Sequence, residues 1–233
     1  MQGFSARELF DRDGMPRATR SGGELALANW LTSTMRVTVR GGAVRWTEVG
    51  RFGSAGGAFR LLTTGEHLQG DASLDVWSGR DTFSRMEGRV VARTSARREG
   101  PVVLGRGGFG IASRTLPPDL WFSGDTGHAR DVLLRAHPAL SEGRLVTVQL
   151  GRRIVYGSVE AQYWWNLALS RVAGALFLDA ASVSGRLDPG ARRDVDAGVG
   201  ARLAIPGVRG IFRADIARGL RYRATAISFV YEP

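Results

Sequence analysis

The sequence predicts an all-β fold: a transmembrane, antiparallel, meander β-barrel of about twelve strands. Polar and apolar residues alternate with a period of two from about residue 34 onward, which is the period of a β-strand. Turn-forming residues separate these runs, as at Asp188-Pro189-Gly190 and Pro206-Gly207. The chain of 233 residues contains 32 Gly but only 8 Pro, a composition that suits many strands and turns.

The alternation places charged and apolar side chains on opposite faces of each predicted strand. Arg36 and Arg40 share one face of the first run, while Val37 and Val39 share the other. Helical periodicity competes only weakly, within residues 5–11 and 24–31. The predicted strands lie near residues 34–40, 43–50, 57–64, 70–77, 84–95, 102–113, 144–150, 153–168, 171–181, 195–204, 209–217 and 223–231.

The period of two alone fits both a soluble β-sandwich and a membrane barrel, so the composition of the two strand faces has to distinguish between them. The apolar face is rich in Ala, Val, Leu and Gly, whereas the opposite face repeats Arg with Asp or Glu, as a polar lumen would. Aromatic residues near the predicted strand ends are typical of an interfacial girdle. They are Trp46, Trp77, Trp121, Phe122, Trp164, Trp165 and Tyr231. A membrane barrel is therefore favoured, with a soluble all-β binding domain as the alternative.

Charge and composition exclude several classes of protein. The net charge is +10 and every basic residue is Arg, but these residues are spread along the chain without a basic tail, so we expect no nucleic-acid partner. The absence of Cys excludes disulfides and Cys-based sites. No apolar run reaches the length of a transmembrane helix. We divide the chain into an N-terminal polar segment, residues 1–33, and a barrel, residues 34–233, with a long extracellular loop near residues 114–143.

The sequence contains no pattern of catalytic chemistry. None of the three His has the spacing of a metal site, and no GxSxG motif occurs. Asp125, His128 and Asp131 lie close together on the predicted loop, where a solvated polar loop is preferred to a metal site. We therefore predict a protein that is not an enzyme and that has neither a cofactor nor a metal.

Four segments between about residues 155 and 231 match the order and spacing of one family's motifs. Gly157–Tyr163 (GSVEAQY) is similar to an SxEYR strand, and Leu176–Val183 (LFLDAASV) to an FxDAGxV strand. Gly198–Leu203 and Phe212–Leu220 are similar to a GVGLRL…PGG…LRLDYARGL segment. The chain thus resembles the outer-membrane assembly-factor superfamily, which includes the bacterial surface antigen barrels and the two-partner secretion transporters.

The resemblance implies a location and an activity. The chain would lie in the bacterial outer membrane, surrounded by outer-membrane lipid. It would help to insert or translocate polypeptides, with unfolded outer-membrane or secreted polypeptides as partners. A weakly closed seam between the first and last strands would pair with a client strand. The family barrel has sixteen strands and additional transport domains, so we expect a truncated or reduced barrel. The alternative is an anion-favouring channel or a structural barrel.

The resemblance also implies a lumen network. In the family, an Arg at the tip of the long loop folds back and pairs with acids on neighbouring strands. Arg135 matches that Arg, although the Gly and the aromatic residue of the family tip are replaced here. Its implied partners are Glu160 and Asp179, while Arg213 and Asp215 would belong to the same structural network.

The last strand carries a second family feature. Ile227, Phe229 and Tyr231 alternate along one face and resemble the terminal signal strand of outer-membrane barrels. Glu232 and Pro233 follow the aromatic residue that usually ends such a strand. A terminal Pro costs no ladder hydrogen bond.

Overall fold

Twelve strands form one antiparallel sheet in which each strand pairs with its neighbours along the chain. The computed structural model describes residues 2–11, 18–167, 169–187, 190–221 and 223–232. The predicted all-β antiparallel meander of about twelve strands is confirmed. The strands are β1 (Gln2–Glu8), β2 (Ala18–Trp30), β3 (Met35–Trp46), β4 (Gly50–Leu62), β5 (Leu68–Ser78), β6 (Thr82–Arg93), β7 (Gly100–Ala112), β8 (Arg153–Leu167), β9 (Ser170–Ser184), β10 (Arg192–Ala204), β11 (Ile211–Gly219) and β12 (Thr225–Glu232).

The N-terminal part of the sheet differs from the sequence analysis. Residues 1–33, assigned there to a polar segment, contain β1 and β2, which pair with each other and with β3. Two runs predicted as separate strands, 34–40 and 43–50, meet in the single strand β3. Gly42 lies inside that strand, where only a glycine fits, because a Cβ there would come within 2.2 Å of the Gly23 carbonyl oxygen. This glycine permits a close approach of two strands rather than a turn.

The long loop spans residues 113–152, between β7 and β8, and is therefore longer than the predicted 114–143. The run predicted as a strand over 144–150 belongs to it. Its paired part is Arg144–Leu145 against Leu140–Ser141, and a 3-10 turn follows at Thr147–Gln149. Much of the loop is buried, including Leu150, so it packs against the sheet instead of extending into solvent.

The aromatic residues divide between the two faces of the sheet. Trp46 and Trp77 belong to a buried cluster with Phe52 and Phe83, which the loop covers through residues such as Trp121. Trp121, Phe122 and Trp164 are buried as well. Of the predicted girdle, Trp165 and Tyr231 alone are on the exposed face. The girdle was predicted from the positions of these aromatic residues near strand ends, and such positions do not show which rings a loop will cover.

β1 and β12 are the two edges of the sheet. Among the described residues no hydrogen-bonded pairing joins them, so the pairing order is that of an open meander rather than a closed barrel. We call the space between these two edges the seam. Within the described chain, no helix is long and apolar enough to cross a membrane.

Candidate functional site

Strands β8 to β11 direct a set of charged side chains to one place on the inner face. Glu160 lies on β8, Asp179 on β9, and Arg213 with Asp215 on β11. The pleat points alternate residues to the same side, so Arg213 and Asp215 both face inward. The structure brings these four predicted residues together with the fifth, Arg135, from the long loop.

Arg135 is the centre of this cluster, and its side chain is 1% exposed. Its Nη2 lies 2.7 Å from Glu160 Oε2 and its Nε 3.2 Å from Asp179 Oδ2. Its Nη1 lies 3.7 Å from Asp215 Oδ2. The guanidinium also lies over the Phe177 ring, 3.8 Å from the centroid, which adds a cation–π contact. One loop side chain therefore connects three strands.

Arg202 on β10 is a second bridge, which the sequence analysis missed. Its Nη2 lies 2.7 Å from Glu160 Oε1, and its Nη1 lies 2.6 Å from Asp215 Oδ1. Arg213 contacts Asp215 at 2.8 Å and Glu232 at 2.5 Å. Arg202 is inward by strand parity, because it lies two residues from Gly200, which pairs with Asp215. That parity is the signal that could have identified it.

Three guanidinium groups alternate with four carboxylates in this cluster, counting Glu232 at its edge. A buried charge is costly when it lacks a partner, and here each charge lies beside an opposite one. Several carboxylate oxygens accept further hydrogen bonds, as Asp179 does from Ser158 Oγ at 2.6 Å. The network fixes the position of the loop tip relative to the strands.

The residue after the loop arginine is held by a separate carboxylate. Asp196 on β10 accepts a hydrogen bond of 2.6 Å from the Ala136 backbone N–H. Its other oxygen lies 2.8 Å from His137 Nδ1. Ala136 and His137 thus contact the same inner face as Arg135. Asp196 was not predicted, although it lies on the charged face of the predicted strand.

Residues Asp125–Arg130, which we call the clasp, form a tight turn of the loop. The Asp125 carboxylate accepts hydrogen bonds from the backbone N–H groups of His128, Ala129 and Arg130, and from Ala139. Burial would raise the pKa of Asp125, but these hydrogen bonds outweigh burial and hold the pKa below its usual value. The turn is therefore organised around an ionised carboxylate.

The clasp contacts both edges of the sheet. Its Arg130 donates two hydrogen bonds of 3.1 Å to the Glu8 carboxylate on β1. Its His128 Nε2 lies 3.0 Å from the Phe229 carbonyl oxygen on β12. Arg213 on β11 donates to the Thr126 carbonyl oxygen at 2.6 Å. Side chains of one short segment thus bridge the seam, across which the described strands do not pair.

Other parts of the loop bind the first strands. Trp46 Nε1 donates to the Asp119 carboxylate, and Arg20 Nε lies 3.6 Å from it. Burial raises the pKa of Asp119, against the charge of Arg20 and the Trp46 hydrogen bond. The Leu145 N–H donates to the Leu9 carbonyl oxygen at 2.6 Å, which extends the pairing beyond β1.

The three residues of the predicted terminal signal strand lie on the outer face of β12. Ile227 is 64% exposed and Phe229 72% exposed. Tyr231 packs against Phe212 on β11 with ring centroids 5.1 Å apart, and its hydroxyl donates to the Arg209 carbonyl oxygen. The strand is an edge with large apolar side chains on one side and the clasp on the other.

A cavity of about 330 Å³ opens on the inner face of the N-terminal half. Its lining includes the charged residues Arg36, Arg40, Arg60, Asp71 and Arg89. Unlike the network around Arg135, these side chains are accessible to solvent.

The site does not resemble a metal centre: among the residues that the structure describes, no group of three His, Cys, Asp or Glu side chains could hold a metal ion. Asp125 and His128 are committed to the turn and to β12. Comparison with known proteins gives no family, since no protein-family model matches the chain and no curated protein matches it either.

Proposed function

We propose that this chain is a β-barrel of the bacterial outer membrane that helps to insert or translocate polypeptides. The observation that carries the proposal is the clasp, since it contacts β1 and β12 where these edges do not pair with each other. Closure by a few side-chain contacts, rather than by a full ladder of backbone bonds, leaves an edge that another strand can use.

The outer face supports a membrane location. Large apolar side chains are exposed along successive strands, as Leu74 is on β5, Val159 on β8 and Leu176 on β9. A soluble sheet would bury this face and hydrate the charged one, whereas here the charged face is the covered one. Most strands have 11–15 residues, and tilted strands of about 9–11 residues span a bilayer.

The proposed mechanism is strand addition at β12. His128 contacts the Phe229 carbonyl oxygen, an acceptor that an incoming extended segment would need. Release of the clasp from Phe229 and from Glu8 would expose both edges. An unfolded client strand would then pair with β12 and fold outward into the bilayer. The network around Arg135 would hold the rest of the loop in place during this exchange.

Crosslinking tests this mechanism directly. The chain has no Cys, so Glu8→Cys with Arg130→Cys gives the two thiols needed to lock the clasp with a bismaleimide. In proteoliposomes we expect the locked protein to lose crosslinking of nascent outer-membrane polypeptides to β12, and we expect His128→Ala to increase it. A matched control pair, Glu8→Cys with Arg80→Cys, carries the same thiols but cannot bridge the clasp. Unchanged client crosslinking in the locked protein would refute the mechanism.

A second candidate function is an anion-favouring channel. The specific observation is the solvent-accessible cavity, whose lining has four Arg side chains against three carboxylates, Asp71, Glu87 and Asp131. Planar-bilayer conductance discriminates the two, because a channel gives stable, anion-selective steps without any client. A protein that remains folded and monodisperse without detergent would instead be a soluble all-β binding domain, and both membrane functions would fail.

A further inference from the structure

A trough crosses the outer face of strands β8 to β12. Its floor is a row of register partners in which Gly174 on β9 pairs with Ala201 on β10, and Ala201 pairs with Ala214 on β11. Tyr163 on β8 and Phe229 on β12 end this row. Three successive small residues leave the middle of the row low, with a large ring at each end.

The two neighbouring rows are bulky. On the side near the hairpin turns, successive strands contribute Trp165, Val172, Leu203, Phe212 and Tyr231. On the other side they contribute Leu176, Val199, Ile216 and Ile227. Rows of one face are roughly 7 Å apart, because alternate residues of a strand face the same side. The low row between two high rows is thus a channel of about the width of a single side chain.

A cavity of about 620 Å³ with an almost wholly apolar surface lies along this floor and the row that contains Trp165 and Phe212. Its side-chain walls include Trp165, Phe212 and Phe229. A polymethylene chain fits such a cavity, since the chain is narrow and apolar and has no hydrogen-bonding groups.

The turn beyond the Phe212 and Tyr231 wall of the trough carries a complementary charge. The Tyr231 hydroxyl donates to the Arg209 carbonyl oxygen, which places Arg209 at the turn beside the Phe212–Tyr231 ring pair. The described residues offer the exposed Arg209 guanidinium no ion-pair partner. A guanidinium is well suited to bind a phosphate, and an aromatic pair is typical of the level at which lipid headgroups lie.

We propose that this trough binds one acyl chain of a phospholipid whose headgroup phosphate pairs with Arg209. The inference rests on the proposed membrane location, because only a bilayer-facing surface meets lipid. It adds a defined lipid site beside the β12 edge, where an ordered acyl chain would have to leave before a client strand could pass outward along that face.

Fluorescence quenching tests the proposal in detergent micelles. Trp165 lines the trough, and Trp30→Phe removes the other half-exposed Trp, leaving buried Trp as an unquenched background. Titration with phosphatidylglycerol brominated along its acyl chains should give quenching that saturates near equimolar lipid. Simple partition of lipid into the micelle would instead give quenching that rises without saturation.

Gly174→Leu places a larger side chain in the trough, where its Cβ would make an ordinary contact of 3.7 Å with the Trp165 ring. We expect it to weaken binding by about tenfold, the equivalent of losing about two buried methylene contacts. Gly70→Leu is the matched control, since it adds the same side chain to β5 where a Cβ meets nothing within 4 Å. It should leave the binding curve unchanged.

Arg209→Gln tests the headgroup contact. Because Arg209 is at an exposed turn, this variant should fold even if Gly174→Leu does not. It should weaken binding several-fold. Unsaturable quenching that is equal in all variants of a folded, detergent-bound protein would overturn the lipid site alone. A protein that needs no detergent would overturn the membrane function first.

Discussion

The two halves of the sheet use the same pairs of side chains in different surroundings. On β3 to β5, Arg40 Nε lies 2.6 Å from Asp75 Oδ1, and Arg60 Nε lies 2.6 Å from Asp71 Oδ1, with the Arg60 side chain 43% exposed. On β8 to β11, Arg202 lies 2.6 Å from Asp215 Oδ1, but the Asp215 side chain is 0% exposed. Ion pairs of equal length therefore contribute unequally to stability. Water screens the more exposed pair and weakens it, whereas the loss of one partner from a buried pair is severely destabilising.

The long loop causes the difference. Its tip covers the inner face of the C-terminal half and adds Arg135 to the network, whereas the cavity remains over part of the N-terminal half.

Arg135→Met should have the largest effect. It leaves Glu160, Asp179 and Asp215 without their shared guanidinium, and removal of one member of a buried charge network costs about 3–5 kcal/mol. We expect a large fall in the urea midpoint for unfolding from detergent micelles and loss of heat-modifiable gel mobility. A change below about 1 kcal/mol would show that the network is hydrated and that the two halves are alike.

The stabilities of Gly200→Ala and Gly56→Ala give a closely matched comparison of the two halves. Each Cβ would lie 2.1 Å from an Asp side-chain oxygen of an Arg–Asp pair, Asp215 for Gly200 and Asp75 for Gly56. At Gly200 the Cβ also meets the Ala214 carbonyl oxygen at 2.7 Å, and the pair is buried, so it cannot move aside. We expect Gly200→Ala to destabilise by about 1–3 kcal/mol and Gly56→Ala by less. Equal urea midpoints for the two variants would contradict the comparison.

Asp125 gives the clasp a dependence on pH. Its pKa is lowered in the folded protein, so the stabilisation is complete above the ordinary pKa of 3.8 and is lost as the pH falls through the lowered folded value. Asp119 has the opposite sign, because burial raises its pKa and protonation relieves that cost. Asp125→Asn should cost about 2 kcal/mol at neutral pH.

The measurement for Asp125 is the urea midpoint at neutral pH and at about pH 3. The difference between wild type and Asp125→Asn should shrink on acidification. Asp119→Asn is the control for general acid effects, and its difference from wild type should not shrink in the same way. A constant gap between wild type and Asp125→Asn would show that the Asp125 charge does not organise the turn.

Arg60→Met should have the smallest effect, about 0–1 kcal/mol, because its pair with Asp71 is only partly buried and Arg89 lies 3.3 Å from the same carboxylate. Its urea midpoint, compared with that of Arg135→Met, gives the difference between the halves directly. If the two variants lose equal stability, burial by the loop is not what distinguishes the halves.

Much of the sheet could be predicted from the sequence because strand pairing here is local. Alternation identified most strands and the shared face of Arg213 and Asp215, whereas Glu160 and Asp179 were expected from the family resemblance. The register of β8 with β9 follows from a two-residue connection, and such hairpins leave little freedom. The same parity puts Arg202 on the charged face, but it does not give the contacts of Arg202 with Glu160 and Asp215.

The rest could not be predicted because it depends on the loop. Nothing in the local pattern of Trp46 or Trp77 distinguishes a ring facing lipid from one beneath a loop, and both are buried. β1 and β2 were missed because glycines such as Gly22 interrupt their alternation; a Cβ there would lie 2.4 Å from the Ala43 carbonyl oxygen. The clasp joins Glu8 to Arg130 and His128 to Phe229, which are separated by more than a hundred residues.

These separations also set an order of assembly. Apart from β7 and β8, which the long loop joins, neighbouring strands are linked by short connections, so each half of the meander can grow hairpin by hairpin with little loop-closure entropy. Arg130 and His128 can find their partners only after β1 and β12 have both formed. We therefore expect the loop to dock in a late, slow kinetic phase. Until then the acids that receive Arg135 remain hydrated, and their burial is the last step of folding.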